Sequence, residues 1–272
     1  MLTASCENMI DDHDEENHHG ETSAYFRSMS TGHDLNKPIK PNLRRAGTRR
    51  FSILMSTADH FQDKADGKFY GPYAHIRKQL DYTYHSHYQK ERQWMQDSII
   101  EEFLENVQST DVCTTPTEPW LIYTVGAPGA GKIHTLMTLV RDRKLPLLSF
   151  VLIDPDAIRR RLPEFQSFVQ KCPDKVDALT SREAGYIVEI LTLAAVQSGK
   201  NVVLDGCLQS TEWHGEFFDS LKIDNNKLKI GMLHITAPRD TILQRALVSY
   251  YYKGYTQNVC SSWELLGFLV FD

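Results

Sequence analysis

Apolar residues gather unevenly along the chain. Beyond Pro119 they form short continuous runs at residues 120–125, 147–153, 201–204 and 229–236, which read as buried strands. Between them, residues 133–143, 180–198 and 212–221 have helical spacing. Apolar strands that alternate with helices predict a largely parallel sheet, because the crossover helices cover both of its faces. Thr180 and Glu183 have the spacing of a capping box at the start of the middle helix. Upstream, Trp94, Met95, Ile99, Ile100, Phe103, Leu104 and Val107 recur at three- and four-residue steps, so residues 84–107 predict one long amphipathic helix. Its stripe is core packing. The Thr- and Pro-rich stretch 109–119 breaks it and leads into the first strand. His60, His75, His85 and His87, in or before this region, lack a metal-ligand spacing and read as surface or core histidines.

Charge separates the first fifty residues from the rest. From residue 1 to 35, Glu7, Asp11, Asp12, Asp14, Glu15, Glu16, Glu21 and Asp34 face only Arg27, and such a segment cannot bury a core. From residue 36 to 50 the sign reverses, with Lys37, Lys40, Arg44, Arg45, Arg49 and Arg50; the expected role is a solvated linker. Arg49-Arg50-Phe51-Ser52 also fits a basophilic kinase target. The expected organisation is a disordered acidic then basic arm (1–50), a helical extension (51–118) and a P-loop kinase-like domain (119–272).

Composition excludes several classes of function. A net charge of −5 and a pI near 6.1 offer no basic field, so no nucleic-acid partner is expected. No apolar run approaches the roughly 18 residues needed to span a bilayer, so no membrane association is expected. Cys6, Cys113, Cys172, Cys207 and Cys260 are scattered and odd in number, which suggests a reduced, cytoplasmic compartment rather than disulfides or a zinc site.

The chemistry begins where a buried strand runs into Gly126-Ala127-Pro128-Gly129-Ala130-Gly131-Lys132 and a helix follows. Glycines let successive backbone N–H groups converge on a triphosphate, the helix N-terminus adds its positive end, and Lys132 adds a full charge. One position departs from this motif. Ile133 stands where a Ser or Thr hydroxyl would bind Mg2+, and Thr135 lies about 200° further round the helix. Magnesium must then rely on water and on carboxylates at strand ends, where ligands bind in such sheets. Asp205 closes one apolar run, and Asp154 and Asp156 flank Pro155 after another. One of that pair can reach an acceptor hydroxyl.

The order Gly126 to Lys132, Ile153-Asp154-Pro155-Asp156 and Val203-Leu204-Asp205-Gly206 resembles the zeta toxin kinases over residues 120–246. That family phosphorylates a sugar hydroxyl of UDP-N-acetylglucosamine in bacteria, and its relatives include phosphotransferases of other small molecules. The resemblance implies Lys132 as the phosphate lysine, Asp156 as general base, Glu189 as a substrate-binding acid and Asp205 as an acid near metal or substrate. Asp154 joins the acceptor side, and Arg245 begins a lid helix whose arginines stabilise charge on the transferred group. Ser249 then occupies the place of a second arginine, and Tyr255 follows Gly254 where a Gly-Arg pair is usual, leaving Arg239, Arg245 and Lys253 as local cations. Residues 267–271 either form the last strand of such a domain or that strand is missing.

The expected fold is therefore an α/β three-layer P-loop kinase with a mainly parallel sheet. Its expected function is transfer of the γ-phosphate of ATP or GTP, with Mg2+, to a hydroxyl of a small-molecule acceptor, a nucleotide sugar by resemblance. The alternative, supported by Ile133, Ser249 and Tyr255, is a nucleotide-binding module impaired in catalysis that serves regulation or interaction. A third reading, an adaptor whose fold is only scaffold, requires a loop that does not bind nucleotide.

Overall fold

The computed structural model describes residues 52–63, 66–109, 118–145, 149–206 and 211–245. The arm of residues 1–50, Ser249, Lys253, Tyr255 and the segment 267–271 lie outside them. Strands β1 (Val107–Ser109), β2 (Trp120–Val125), β3 (Ser149–Ile153), β4 (Val202–Asp205) and β5 (Lys229–His234) form one sheet in the order β1-β3-β4-β2-β5. All pairs are parallel except β1 with β3. The helices are α1 (Thr57–His60), α2 (Ala74–Arg77), α3 (Lys90–Glu105), α4 (Lys132–Arg141), α5 (Pro155–Arg161), α6 (Phe165–Lys171), α7 (Val176–Gln197) and α8 (Thr211–Asp224).

Alternation of side chains along the strands builds the three layers. Leu121, Tyr123, Val151, Ile153, Val202 and Leu204 point to one face, where they pack with α7 and with Phe217 and Leu221 of α8. Ile122, Phe150 and Val203 point to the other face and meet Leu136 and Val140 of α4. Both faces of β4 and of most of β2 are buried, as a central parallel strand requires. The sheet and its flanking helices thus form the mainly parallel α/β fold that the sequence predicts.

Three local expectations need correction. The predicted helix over 84–107 begins only at Lys90 and ends at Glu105, and Val107 opens β1 instead. Its apolar stripe also misstates what is buried: Trp94 is exposed, whereas Arg92, Gln93, Gln96 and Asp97 go inside with Met95, Ile99 and Ile100. The third correction concerns Thr180 and Glu183, which do not cap a helix. Helix α7 starts four residues earlier, at Val176, whose carbonyl accepts from the Thr180 hydroxyl at 2.7 Å. Glu183 is wholly buried, and Arg92 and Gln96 of α3 donate to its carboxylate. Residues before β1 supply these partners, and their Ala58, Ile76, Tyr88 and Ile99 enter the same core as Ile187 and Ile190 of α7.

Candidate active site

Strand β2 ends in the loop Gly126–Lys132, and three of its glycines have positive φ: Gly126 (153°), Gly129 (89°) and Gly131 (88°). At Gly126 there is also no room, since a Cβ would collide with the carbonyl oxygen of Ile235. Gly131 caps α4 in the left-handed region, a conformation costly for residues with a side chain. Ala127, Pro128 and Gly129 are half-buried, and Ala130 packs with Ile235 and Ile242 from the chain after β5. The first-turn N–H groups of α4 have no partner within the helix, which makes this concavity suited to phosphate.

Lys132 folds back over its own loop. Its Nζ donates to the Gly126 carbonyl at 3.2 Å and stands 3.9 Å from Asp205 Oδ1. Asp205 reaches this position because β4 lies beside β2 in a register that sets it against Thr124. The Thr124 hydroxyl donates to Asp205 Oδ1 at 2.6 Å. Burial pushes the Asp205 carboxyl up, and Lys132 and the Thr124 hydrogen bond oppose that shift. Gly206 follows without a side chain because a Cβ there would strike the Tyr123 hydroxyl.

On the next strand, Asp154 follows β3 and acts as N-cap of α5, accepting from the Asp156 N–H at 2.8 Å. Pro155 at the first helical position and Asp156 in the first turn suit a helix start. Burial raises the Asp154 carboxyl, and the charge of Asp156 raises it further. Asp205 also contributes to that rise, so the acids at the ends of β3 and β4 share one field. Arg159 Nη2 lies 3.5 Å from Asp156 Oδ1, and Arg160 Nη2 lies 3.5 Å from Asp154 Oδ2.

Arg245, in the helical residues 239–245, lies against the loop and donates to the Gly129 carbonyl at 3.3 Å. Glu189 stands on α7. It accepts from, or is paired with, His85 Nε2 at 2.8 Å, on the face of α7 that also carries Arg182 and Tyr186. Asp177, which meets Arg159, projects about 120° away from Glu189 at 100° per residue. Sequence reasoning overlooked three residues here: Thr124, Arg159 and Arg160. Thr124 carries a visible signal, a polar residue within an apolar strand next to the glycine loop. The arginines also do, as a run three residues after Asp156. His85 is buried, in keeping with its reading as a surface or core histidine, but its pairing with Glu189 leaves no local signal because that partner is 104 positions away.

For Mg2+, Ile133 offers no ligating atom, and among the described residues no group of three or more His, Cys, Asp or Glu could hold a metal ion. The acids at the strand ends, Asp205 beside Lys132 among them, are compatible with an ion that keeps several waters and leans on substrate phosphates.

A glycine loop between a central parallel strand and its helix, with carboxylates at the ends of the adjacent strands, defines a P-loop kinase fold. The chain matches the Zeta toxin family over residues 105–249 and belongs to that family of P-loop phosphotransferases, a class that generally uses ATP with Mg2+. It is similar to the PezAT chromosomal toxin-antitoxin system of the human pathogen Streptococcus pneumoniae, with 20% identity over 61% of this chain and 64% of that one and a TM-score of 0.49. It is also similar to AvrRxo1-ORF1:-ORF2 with ATP, with 16% identity, coverage of 71% and 58%, and a TM-score of 0.41. The chain thus spans 64% of the length of the PezAT chain. No curated protein matches it. Among the described residues no helix is long and apolar enough to cross a membrane.

Proposed function

We propose that this chain transfers the γ-phosphate of ATP or GTP to a hydroxyl of a small molecule, by resemblance a nucleotide sugar. The approach of Lys132 Nζ to Asp205 Oδ1, at 3.9 Å and beside Asp154 and Asp156, carries this reading. The backbone N–H groups of Gly129, Gly131, Lys132 and Ile133 cradle the phosphates, and Lys132 swings from the Gly126 carbonyl to the outer ones. Asp156 accepts the proton of the acceptor hydroxyl as that oxygen attacks the γ-phosphorus in line. The bond to the bridging oxygen breaks, and the nucleoside diphosphate leaves. Arg245 offsets charge on the transferred group from outside the loop. Asp154 and Glu189 belong to acceptor binding, and Asp205 would hold Mg2+ through water, with the ion neutralising phosphate charge.

Incubation with γ-labelled ATP or GTP, Mg2+ and a panel containing UDP-N-acetylglucosamine, free sugars and nucleosides tests the reading. Label should pass to one acceptor class and fail to do so with Lys132→Ala. A second reading, nucleotide binding without transfer, is favoured by Ile133, which has no ligand for the metal. Tight nucleotide binding with no labelled acceptor would select it, and the absence of any nucleotide binding would sink both.

A further inference from the structure

Residues 159–161 of α5 are three successive arginines, and the fold treats them differently. Arg161 is tied to Glu102 of α3, donating from Nε at 2.9 Å and from Nη2 at 2.6 Å. Arg160 lies near Asp154 and keeps 32% of its side chain exposed. Arg159 turns inward and keeps only 13%. Its two terminal nitrogens go to different carboxylates: Nη1 donates to Asp177 Oδ1 in the first turn of α7, and Nη2 lies 3.5 Å from Asp156 Oδ1. Its Nε is buried and has no hydrogen-bond partner among the described residues, so the two Nη contacts hold the group.

On an exposed helix face an ion pair three residues apart is weak, because water screens it and both side chains rotate. This pair differs. Asp177 is buried, and the start of α7 favours its negative charge, so one end of the guanidinium is fixed to a separate element. The planar fork then constrains the other end, since its N–H donors keep a rigid arrangement. Asp156 is thereby held to a point on α7 and not only to its own short helix. A general base needs such a constraint. Its carboxylate must stay within hydrogen-bond reach of the hydroxyl it deprotonates, and a displacement of about 1 Å is costly to the rate.

We propose that Arg159 is a positioning residue for Asp156, anchored by Asp177, and that the chain Asp177–Arg159–Asp156 sets the direction from which the base meets the acceptor hydroxyl. This rests on the reading of Asp156 as the acceptor-side base. Arg159 acts through that carboxylate and not on the phosphates. A lysine at this position would keep the charge, but its single ammonium cannot meet two carboxylates through separate nitrogens held in one plane.

The test is a double-mutant cycle on the full chain, read as label transfer from γ-labelled ATP with Mg2+ to the panel of UDP-N-acetylglucosamine, free sugars and nucleosides. Arg159→Gln should lower kcat by about tenfold to a hundredfold. Acceptor KM and the affinity for the non-hydrolysable analogue AMP-PNP should stay within about twofold of wild type. Made in Asp156→Asn, the same substitution should change the remaining rate by less than about twofold, because a residue that acts through the base has nothing left to position. Arg159→Lys should recover part of the loss. If Arg159→Gln fails to fold, Arg159→Gln/Asp177→Asn takes its place, since it removes the stranded buried charge together with its partner. A loss of equal size with and without the Asp156 carboxylate overturns the proposal, for that is what a merely structural role produces. Wild-type transfer that is unchanged in Arg159→Gln overturns this inference alone, whereas wild type that labels no acceptor overturns the phosphotransfer reading with it.

Discussion

Arg92 of α3 and Glu183 of α7 form a two-point ion pair in the interior: Nε meets Oε1 and Nη2 meets Oε2, each at 2.7 Å, with almost no exposure on either side. The same guanidinium reaches Glu164 at 2.9 and 3.0 Å and lies 3.9 Å from the centre of the Phe61 ring. One cation therefore joins residues before β1 to two carboxylates of the kinase-like part.

Removing that cation strands buried charge, so Arg92→Ala should cost about 3–5 kcal/mol in urea unfolding at neutral pH. Burial alone would raise the Glu183 carboxyl, but Arg92 and Gln96 hold it below its ordinary value of 4.5. Stability from the pair is therefore present above that value and is lost as pH falls through the lower folded value. In the variant, burial acts on Glu183 without Arg92, and protonation relieves the cost. The gap between wild type and variant should narrow as pH is lowered from about 7.5 to about 5. A gap that stays constant or widens would mean that Glu183 is not the source of the loss.

How far the sequence discloses the structure depends on the range of each interaction. Strand β2, the loop to Lys132 and the acids Asp154, Asp156 and Asp205 follow from local patterns, because each needs only its own neighbours and a strand end. The buried polar face of α3 does not. Arg92, Gln93, Gln96 and Asp97 look like a solvated helix face until α7 supplies Glu183 and α2 supplies Arg77. Thr180 and Glu183 mislead for the same reason, since a capping-box spacing also occurs inside a helix with a distant partner. The short β1 is hidden because its pairing with β3 lies about forty residues away.

Nucleotide binding should depend on Lys132. Its ammonium is the side-chain cation that the loop itself brings to the phosphates, and a charge-assisted contact contributes about 1.5–3 kcal/mol. Lys132→Ala should weaken ATP binding by roughly tenfold or more. An unchanged dissociation constant in a folded variant would remove the phosphate role of the loop.

Thr124 tunes Asp205 through the hydrogen bond at 2.6 Å. That bond favours the charged carboxylate, and burial opposes it. In Thr124→Val the carboxyl should rise further, so the acid limb of Mg2+-dependent nucleotide binding should move to higher pH. Movement to lower pH, or none, would separate Asp205 from the metal.

Ile133 sits at the first turn of α4 and is only half-buried, so Ile133→Thr should be tolerated. The hydroxyl restores a direct ligand, and Mg2+ should then tighten nucleotide binding more than it does in wild type. Unaltered magnesium dependence in a well-folded variant would place the ion elsewhere or show that it is not used.

The most direct test of phosphotransfer at Asp156 compares wild type with Asp156→Asn, which keeps shape and removes the base. Acceptor-dependent release of nucleoside diphosphate and the AMP-PNP dissociation constant are measured side by side. The expected result is a fall in the transfer rate of about 10²–10⁴-fold with nucleotide affinity unchanged. Equal transfer rates in the two proteins, at equal nucleotide affinity, would contradict Asp156 as the base and with it the proposed reaction.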